Sequence, residues 1–248
     1  MKKILIIGES CKDIFVYVDA IKLAPDVPVP VLSTIEHTEN EGMARNVYKN
    51  IKSLSVQCDI LTNENWEQIT KTRYIHKESN HMFIRIDSDH SKIKQINLSK
   101  ISFDYDIIAI SDYNKGFLNT KDIEYICKNH PKVFIDTKKV IGDWAKDSFI
   151  IKINNIEYKN SLDFLNKNKI IRDKVIHTDG GNGAYYKNKH FPTKPLDVKD
   201  VSGAGDTFYA GLLSEYLKTN KLNKSINFAN KCAKNAVSHK GVTNKINI

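Results

Sequence analysis

The sequence predicts an α/β fold: a central, mostly parallel sheet with helices on both faces, beside a small β lid. Three observations point there. Five short apolar, β-branched runs recur, at Ile4–Ile7, Ile107–Ile110, Val133–Ile135, Phe149–Ile153 and Val175–His177. The stretches between them carry helical spacing, and two segments, 14–35 and 70–87, break the rhythm. Runs that are apolar without alternation belong to strands buried on both faces, the condition of a parallel sheet covered by helices.

In chain order, the stretch after Met1-Lys2-Lys3 stops after four apolar residues. That is too short for a signal peptide and reads as a buried first strand. Residues 14–35 hold Phe15-Val16-Tyr17-Val18 and then the Pro-punctuated Pro25-Asp26-Val27-Pro28-Val29-Pro30-Val31. Met43, Val47, Ile51 and Leu54 share one helical face. Residues 70–87 alternate, with Met82, Ile84 and Ile86 on one side and Phe83, Arg85 and Asp87 on the other. Alternation means a strand with one wet face, so the two segments together suggest a small antiparallel flap. Ile123 and Ile126 mark a further helix, and Phe208, Leu212 and Tyr216 an amphipathic one. Leu222, Ile226, Ala229, Ala233 and Val237 mark the last. One domain over 1–248, with lid strands near 14–35 and 70–87, accommodates all of this.

Composition excludes several classes. A chain of 248 residues with 41% hydrophobic and 27% charged residues is neither disordered nor low-complexity. No apolar run reaches 18 residues, so no membrane span is expected. Cys11, Cys58, Cys127 and Cys232 lie far apart without a C-x-x-C pair, which suits a reducing cytoplasm. The net charge of +9 invites a nucleic-acid reading, but only four of the 38 basic residues are Arg: Arg45, Arg73, Arg85 and Arg172. Lys, Asn and Ile, with A/T-rich codons, make up over a third of the chain, and the lysines are scattered. No nucleic-acid partner is expected.

In an open α/β sheet, ligands bind beyond the carboxyl ends of the strands. Polar or Gly-bearing segments follow all five runs: Gly8 with Asp13, Ser111–Lys115, Asp136-Thr137-Lys138, Asn154–Glu157 and Thr178–Gly183. Asp200-Val201-Ser202-Gly203-Ala204-Gly205-Asp206-Thr207-Phe208 then leads into a helix. Small residues at 203–205 let backbone N–H groups crowd around an anion at a helix N-terminus. A carboxylate there would repel phosphate unless Asp206 takes a proton from an attacking hydroxyl; the alternative is an Asp serving as N-terminal charge partner. Walker A, G-x-G-x-x-G, H-E-x-x-H and G-x-S-x-G patterns are missing from the sequence.

At Asp200–Phe208 the chain resembles the ribokinase-like (PfkB-type) carbohydrate kinases, matching all nine positions of their D-[VT]-[ST]-G-A-G-D-T-F motif. Gly8–Asp13, Ala24–Val31 and Ser111–Gly116 look like the D-glycero-D-manno-heptose 7-phosphate kinase branch. The resemblance implies a ribokinase-like fold. It implies Asp206 as catalytic base, and Gly203, Ala204 and Gly205 as the anion hole. It puts Asn154 and Glu157 in an N-x-x-E that organises Mg²⁺ through water, with Thr178, Gly180, Gly183 and Asn230 around ATP. Asp13, Gly42 and Asn46 would hold sugar hydroxyls, with Asp112, Lys115, Arg73 and Arg85 on the acceptor side. Lys240-Gly241-Val242-Thr243 resembles a loop contributing to a K⁺ site, and the lid implies a homodimer.

The departures fall on the acceptor half. Glu41-Gly42 stands where the family has paired Gly, and Arg45, in place of a small residue, would either clash or meet an extra anionic group. The intervals 54–71 and 158–174 are shorter than in that family. The expected function is ATP-dependent phosphoryl transfer to a sugar or sugar phosphate, most nearly a heptose 7-phosphate. The alternative is a non-catalytic nucleotide- or sugar-binding scaffold or regulator.

Overall fold

The computed structural model describes residues 2–194 and 200–238. Its strands and helices run β1 (Lys3–Ile7), β2 (Ser10–Leu23), β3 (Pro30–Met43), α1 (Ala44–Ser53), β4 (Gln57–Leu61), β5 (Thr70–His76), β6 (Met82–Asp87), β7 (Ile107–Asp112) and α2 (Thr120–Asn129). They continue through β8 (Val133–Thr137), β9 (Ile150–Asn154), α3 (Asn155–Lys167), α4 (Lys169–Arg172), β10 (Val175–Thr178), β11 (Ala184–Tyr186), β12 (Lys189–Phe191), α5 (Ala204–Thr219) and α6 (Leu222–Val237).

Eight strands form the main sheet in the order β12-β11-β10-β9-β8-β7-β1-β4. It is parallel from β4 to β10 and closes with the antiparallel β10-β11-β12 edge. All five predicted runs are strands of this sheet. Ile4 and Ile6 of β1 pack with α1, α5 and α6, while Leu5 and Ile7 pack with α2. This two-sided burial is why the runs lack alternation. The short edge strand β4 was not anticipated; its mixed QCDIL sequence follows from having one exposed edge.

Two helices differ from their sequence reading. The α5 helix is buried all round from Asp206 to Leu217, rather than amphipathic, because the sheet, α1 and α6 enclose it. Gly211 permits this: a Cβ there would lie 2.6 Å from Cys232 Sγ on α6. The α3 helix starts on a capping box between Asn154 and Glu157.

The lid is a four-stranded sheet, β3-β2-β5-β6. Its strands reach beyond 14–35, since β2 begins at Ser10 and β3 runs into α1 at Met43. It is mixed rather than antiparallel: β2 pairs parallel with β5, because β4 intervenes and returns the chain to the lid in the same direction. Residues 70–87 form a hairpin, not one strand. Both faces of β6 carry exposed residues, so the strand does not have a single wet face. Arg85 turns toward the interior cleft, whereas Met82, Ile84 and Ile86 are each about half exposed on the outside, at 49%, 50% and 52%. The segment Lys240–Thr243 lies outside the described residues.

Candidate active site

Three adjoining cavities open along the carboxyl ends of the strands. One of about 510 Å³ lies under the lid, between Asp13, Asn46, Arg73, Arg85 and Lys115. The next, about 410 Å³, is lined by Asp136, Lys152, Asn154, Thr178 and Gly205. The third, about 340 Å³, is more apolar and lies between Gly183, Val201, Phe208, Asn230 and Val237. Asp206 and Gly203 stand in the wall between the first two. Thr178, Gly180 and Gly205 stand in the wall between the second and third.

Asp206 is built into the first turn of α5, next to Gly203, whose φ of 75° starts the helix in a conformation that favours glycine. Its carboxylate is 7% exposed and accepts from Tyr113 Oη at 2.5 Å and from Asn46 Nδ2 at 2.7 Å. Burial raises its pKa above the ordinary aspartate value, and the two donors hold that rise back. Asn46 comes from α1, where Asn50 bonds both Asn46 Oδ1 (3.2 Å) and Thr207 Oγ1 (3.3 Å). A polar seam between α1 and α5 therefore sets the position of the Asp206 carboxylate.

In the lid, register aligns Asp13, Lys71 and Asp87 in one row and Phe15, Arg73 and Arg85 in the next. Alternation turns both rows to the cavity. Arg73 donates to Asp13 at 2.7 Å, and Arg85 chelates Asp87 through two bonds of 2.6 Å. Gly42 backs this array: a Cβ would meet Asp13 Oδ2 at 2.4 Å. Glu41 instead points to Arg45 (2.6 Å) and Lys49 (3.2 Å), and the Arg45 guanidinium stacks 4.1 Å from the Trp66 ring. Arg45 neither clashes at the cavity under the lid nor lines it.

In the middle cavity, Lys152 and Asp136 form a nearly buried pair at 2.8 Å. Gly203 and Gly205 bring the N-terminus of α5 to the same space, where backbone N–H groups suit an anion. Around the apolar cavity, Gly183 has φ 95° and a Cβ there would strike Phe191 O at 2.2 Å. Asn230 donates to that same carbonyl at 2.8 Å. Ala204 lines this cavity as well.

Residues 126–248 match the pfkB family carbohydrate kinase. The similarity to that family thus covers just under half of the chain, its C-terminal part. The chain is 28% identical to a bifunctional protein HldE of Helicobacter pylori, over 97% of this chain and 64% of that protein. It is 27% identical to the Aliarcobacter butzleri HldE, over 93% and 60%. The chain thus spans less than two thirds of these curated relatives. An Arabidopsis thaliana ribokinase shares the fold with TM-score 0.75 at 13% identity, covering 99% and 96% of the two chains. The Thermotoga maritima ribokinase does so with TM-score 0.74 at 18% identity, covering 98% and 95%.

Three expected site residues lie off the cavities: Gly42, which stands behind Asp13, Asp112 and Glu157. Asp112, 2% exposed, is spent on Lys139 (2.7 and 2.9 Å), Thr137 and the Asn114 N–H, so it shapes the Tyr113–Lys115 loop from behind. Glu157 turns back to cap α3: it accepts from Asn154 N at 2.7 Å, Asn154 Nδ2 at 2.9 Å and Lys138 Nζ at 2.5 Å. Tyr113, Asp136, Lys138, Lys152 and Lys71 were not assigned roles from sequence. The first three sit in strand-end segments already singled out, and Lys152 could be noticed as a charge inside the apolar IIKIN strand.

Among the described residues no group of three or more His, Cys, Asp or Glu side chains is arranged to hold a metal ion. Mg²⁺ commonly needs only one or two carboxylates besides water and nucleotide phosphates. Asp136, on the cavity wall, and Glu157, just behind Asn154, supply hard oxygen donors of that kind. The residues present fit the ion.

Proposed function

We propose that the protein transfers the γ-phosphoryl group of ATP to a hydroxyl of a sugar phosphate, with a heptose 7-phosphate-like acceptor. The observation that carries this is Asp206, a buried carboxylate in the wall between two polar cavities. Lys71, Arg73, Arg85, Lys115 and Lys138 line the acceptor cavity against two carboxylates, Asp13 and Asp206, which is the chemistry of an anionic acceptor. The segments Ala24–Val31 and Ser111–Gly116 resemble heptose 7-phosphate kinases. The Arabidopsis ribokinase of the same fold is complexed with ribose and ATP, which supports ATP as donor.

In this reading Asp13, held by Arg73, orients the sugar hydroxyls, and the lid cations hold its phosphate. The base ring sits in the apolar cavity beside Asn230, and the phosphates run past Thr178 and Gly180 toward Gly203 and Gly205. Mg²⁺ would be held near Asp136 and Glu157 and would neutralise phosphate charge. Asp206 accepts the hydroxyl proton as the new bond forms, so only a modest pKa elevation is required. The lid excludes water that would otherwise hydrolyse the nucleotide.

The outer lid face, with Ile35, Met82, Ile84 and Ile86 about half exposed, supports a homodimer through the lid. Ile84→Lys should then yield monomers by sedimentation. Four unpaired buried cysteines support a cytoplasmic location. The functional test is ADP release across heptose, hexose and pentose phosphates and their unphosphorylated sugars. Mg²⁺-dependent turnover confined to phosphorylated acceptors is expected; no turnover with any acceptor would sink the reading.

A further inference from the structure

The wall shared by the acceptor and phosphate cavities consists of Tyr113, Lys138, Gly203 and Asp206. Any phosphoryl group moving between the cavities passes these four residues. It carries negative charge spread over its equatorial oxygens, and charge stabilisation supplies most of the catalysis of such a transfer. Asp206 is itself an anion, and the Tyr113 hydroxyl is engaged with it. Lys138 is the one cation in that wall.

The other nearby cations are placed differently. Lys152 borders the phosphate cavity alone and is locked to Asp136, its side chain 3% exposed. Lys115 borders the acceptor cavity alone. Lys138 has a side chain 37% exposed, on a flexible stem at the end of β8, and its ammonium rests on Glu157 Oε1 at 2.5 Å, with the Tyr113 ring 5.6 Å away. A lysine is a mobile point charge that can exchange one oxygen partner for another.

We propose that Lys138 is a catalytic residue of the transfer: its ammonium shifts from Glu157 onto the phosphoryl group as that group crosses the shared wall. This rests on the phosphotransferase reading above. In the step, the acceptor oxygen forms a bond to the γ-phosphorus while the bond from that phosphorus to the β,γ-bridging oxygen breaks. The bridging oxygen keeps the electron pair and leaves on ADP, and the hydroxyl proton goes to Asp206. Lys138 stays protonated throughout and contributes charge only. Glu157 is its resting partner.

The test is Lys138→Ala and Lys138→Arg in the full chain. Turnover, ADP binding, and binding of ADP with aluminium fluoride, a planar mimic of the phosphoryl group, are measured for each. In Lys138→Ala, kcat should fall about 10²–10³-fold, the loss typical of one removed transition-state donor. ADP affinity should change less than threefold, while the extra affinity conferred by aluminium fluoride disappears. Ethylammonium should restore part of the lost turnover in a saturable manner, and Lys138→Arg should retain a measurable part of it. Near-wild-type turnover in Lys138→Ala, or equal losses of ADP binding and kcat, would each overturn the assignment. If Lys138→Ala does not fold, Lys138→Met, which keeps the length of the side chain without its charge, is read by the same criteria: loss of the extra aluminium fluoride affinity with ADP binding intact upholds the proposal, and its retention overturns it. An inactive wild-type enzyme would refute the kinase reading instead.

Discussion

Tyr113 donates its hydroxyl to Oδ1 of Asp206 at 2.5 Å, while Asn46 occupies Oδ2 at 2.7 Å. The proposed base is therefore held from both sides, by the loop after β7 and by α1. An incoming hydroxyl must share or replace one of these donors.

Asp206→Asn should abolish proton acceptance while keeping the shape of the site. Turnover should fall by at least about two orders of magnitude. Equilibrium binding of ADP should remain close to wild type, because in the proposed reading Asp206 faces the transferred group rather than the bound diphosphate.

Tyr113→Phe removes a donor that favours the Asp206 carboxylate, so the already raised pKa should rise further. The acid limb of kcat should move to higher pH, leaving the variant weakest at low pH and closest to wild type on the alkaline side. A pH–rate profile reads this directly; an unmoved limb would show that the hydroxyl does not tune the base.

Gly42→Ala would set a methyl group 2.4 Å from Asp13 Oδ2 and 2.8 Å from Cys11 Sγ. Asp13 must move off its Arg73 partner. KM for the acceptor should rise about tenfold, the effect of roughly 1.4 kcal/mol, with KM for ATP little altered. Steady-state kinetics with each substrate varied separate the two.

Glu9 lies fully buried where β1 passes into the lid, accepting from the Lys115 N–H at 2.6 Å while Oε2 has no partner. Burial, and then Asp112, push its pKa from 4.5 to about 7. Below pH 4.5 the folded and unfolded chains both carry this proton; between 4.5 and 7 chiefly the folded chain does. Its contribution to stability therefore declines as pH rises through that window, by ~3 kcal/mol, and levels off above it. Glu9→Gln should gain on wild type progressively from pH 5 to 7.5, seen as a widening difference in Tm.

The main sheet was legible because strands buried on both faces must be apolar throughout, and the chain marks Ile4–Ile7 and its four counterparts in that way. The Gly203–Asp206 turn was legible for a similar local reason: a φ of 75° and a close anion approach restrict which residues can stand there. Asp13, Asn46, Arg73, Arg85 and Lys115 do converge on one cavity. The lid was only half legible. Alternation separated the two sides of β6, but which side turned to the cavity depended on how the hairpin docked beside β2.

Sequence alone determined the strand–helix alternation, the placement of polar residues at strand ends, and the glycine-bordered carboxylate at the start of α5, because each obeys rules acting within a few residues. Tertiary structure decided the partners. Tyr113 and Asp206 are 93 positions apart, and Lys138 joins the wall between cavities only when β7, β8 and α5 meet. It also turned Glu157 inward to cap α3 and placed Asp112 behind the site. Such choices depend on burial and on competing hydrogen bonds from distant segments, and those exist only in the folded chain.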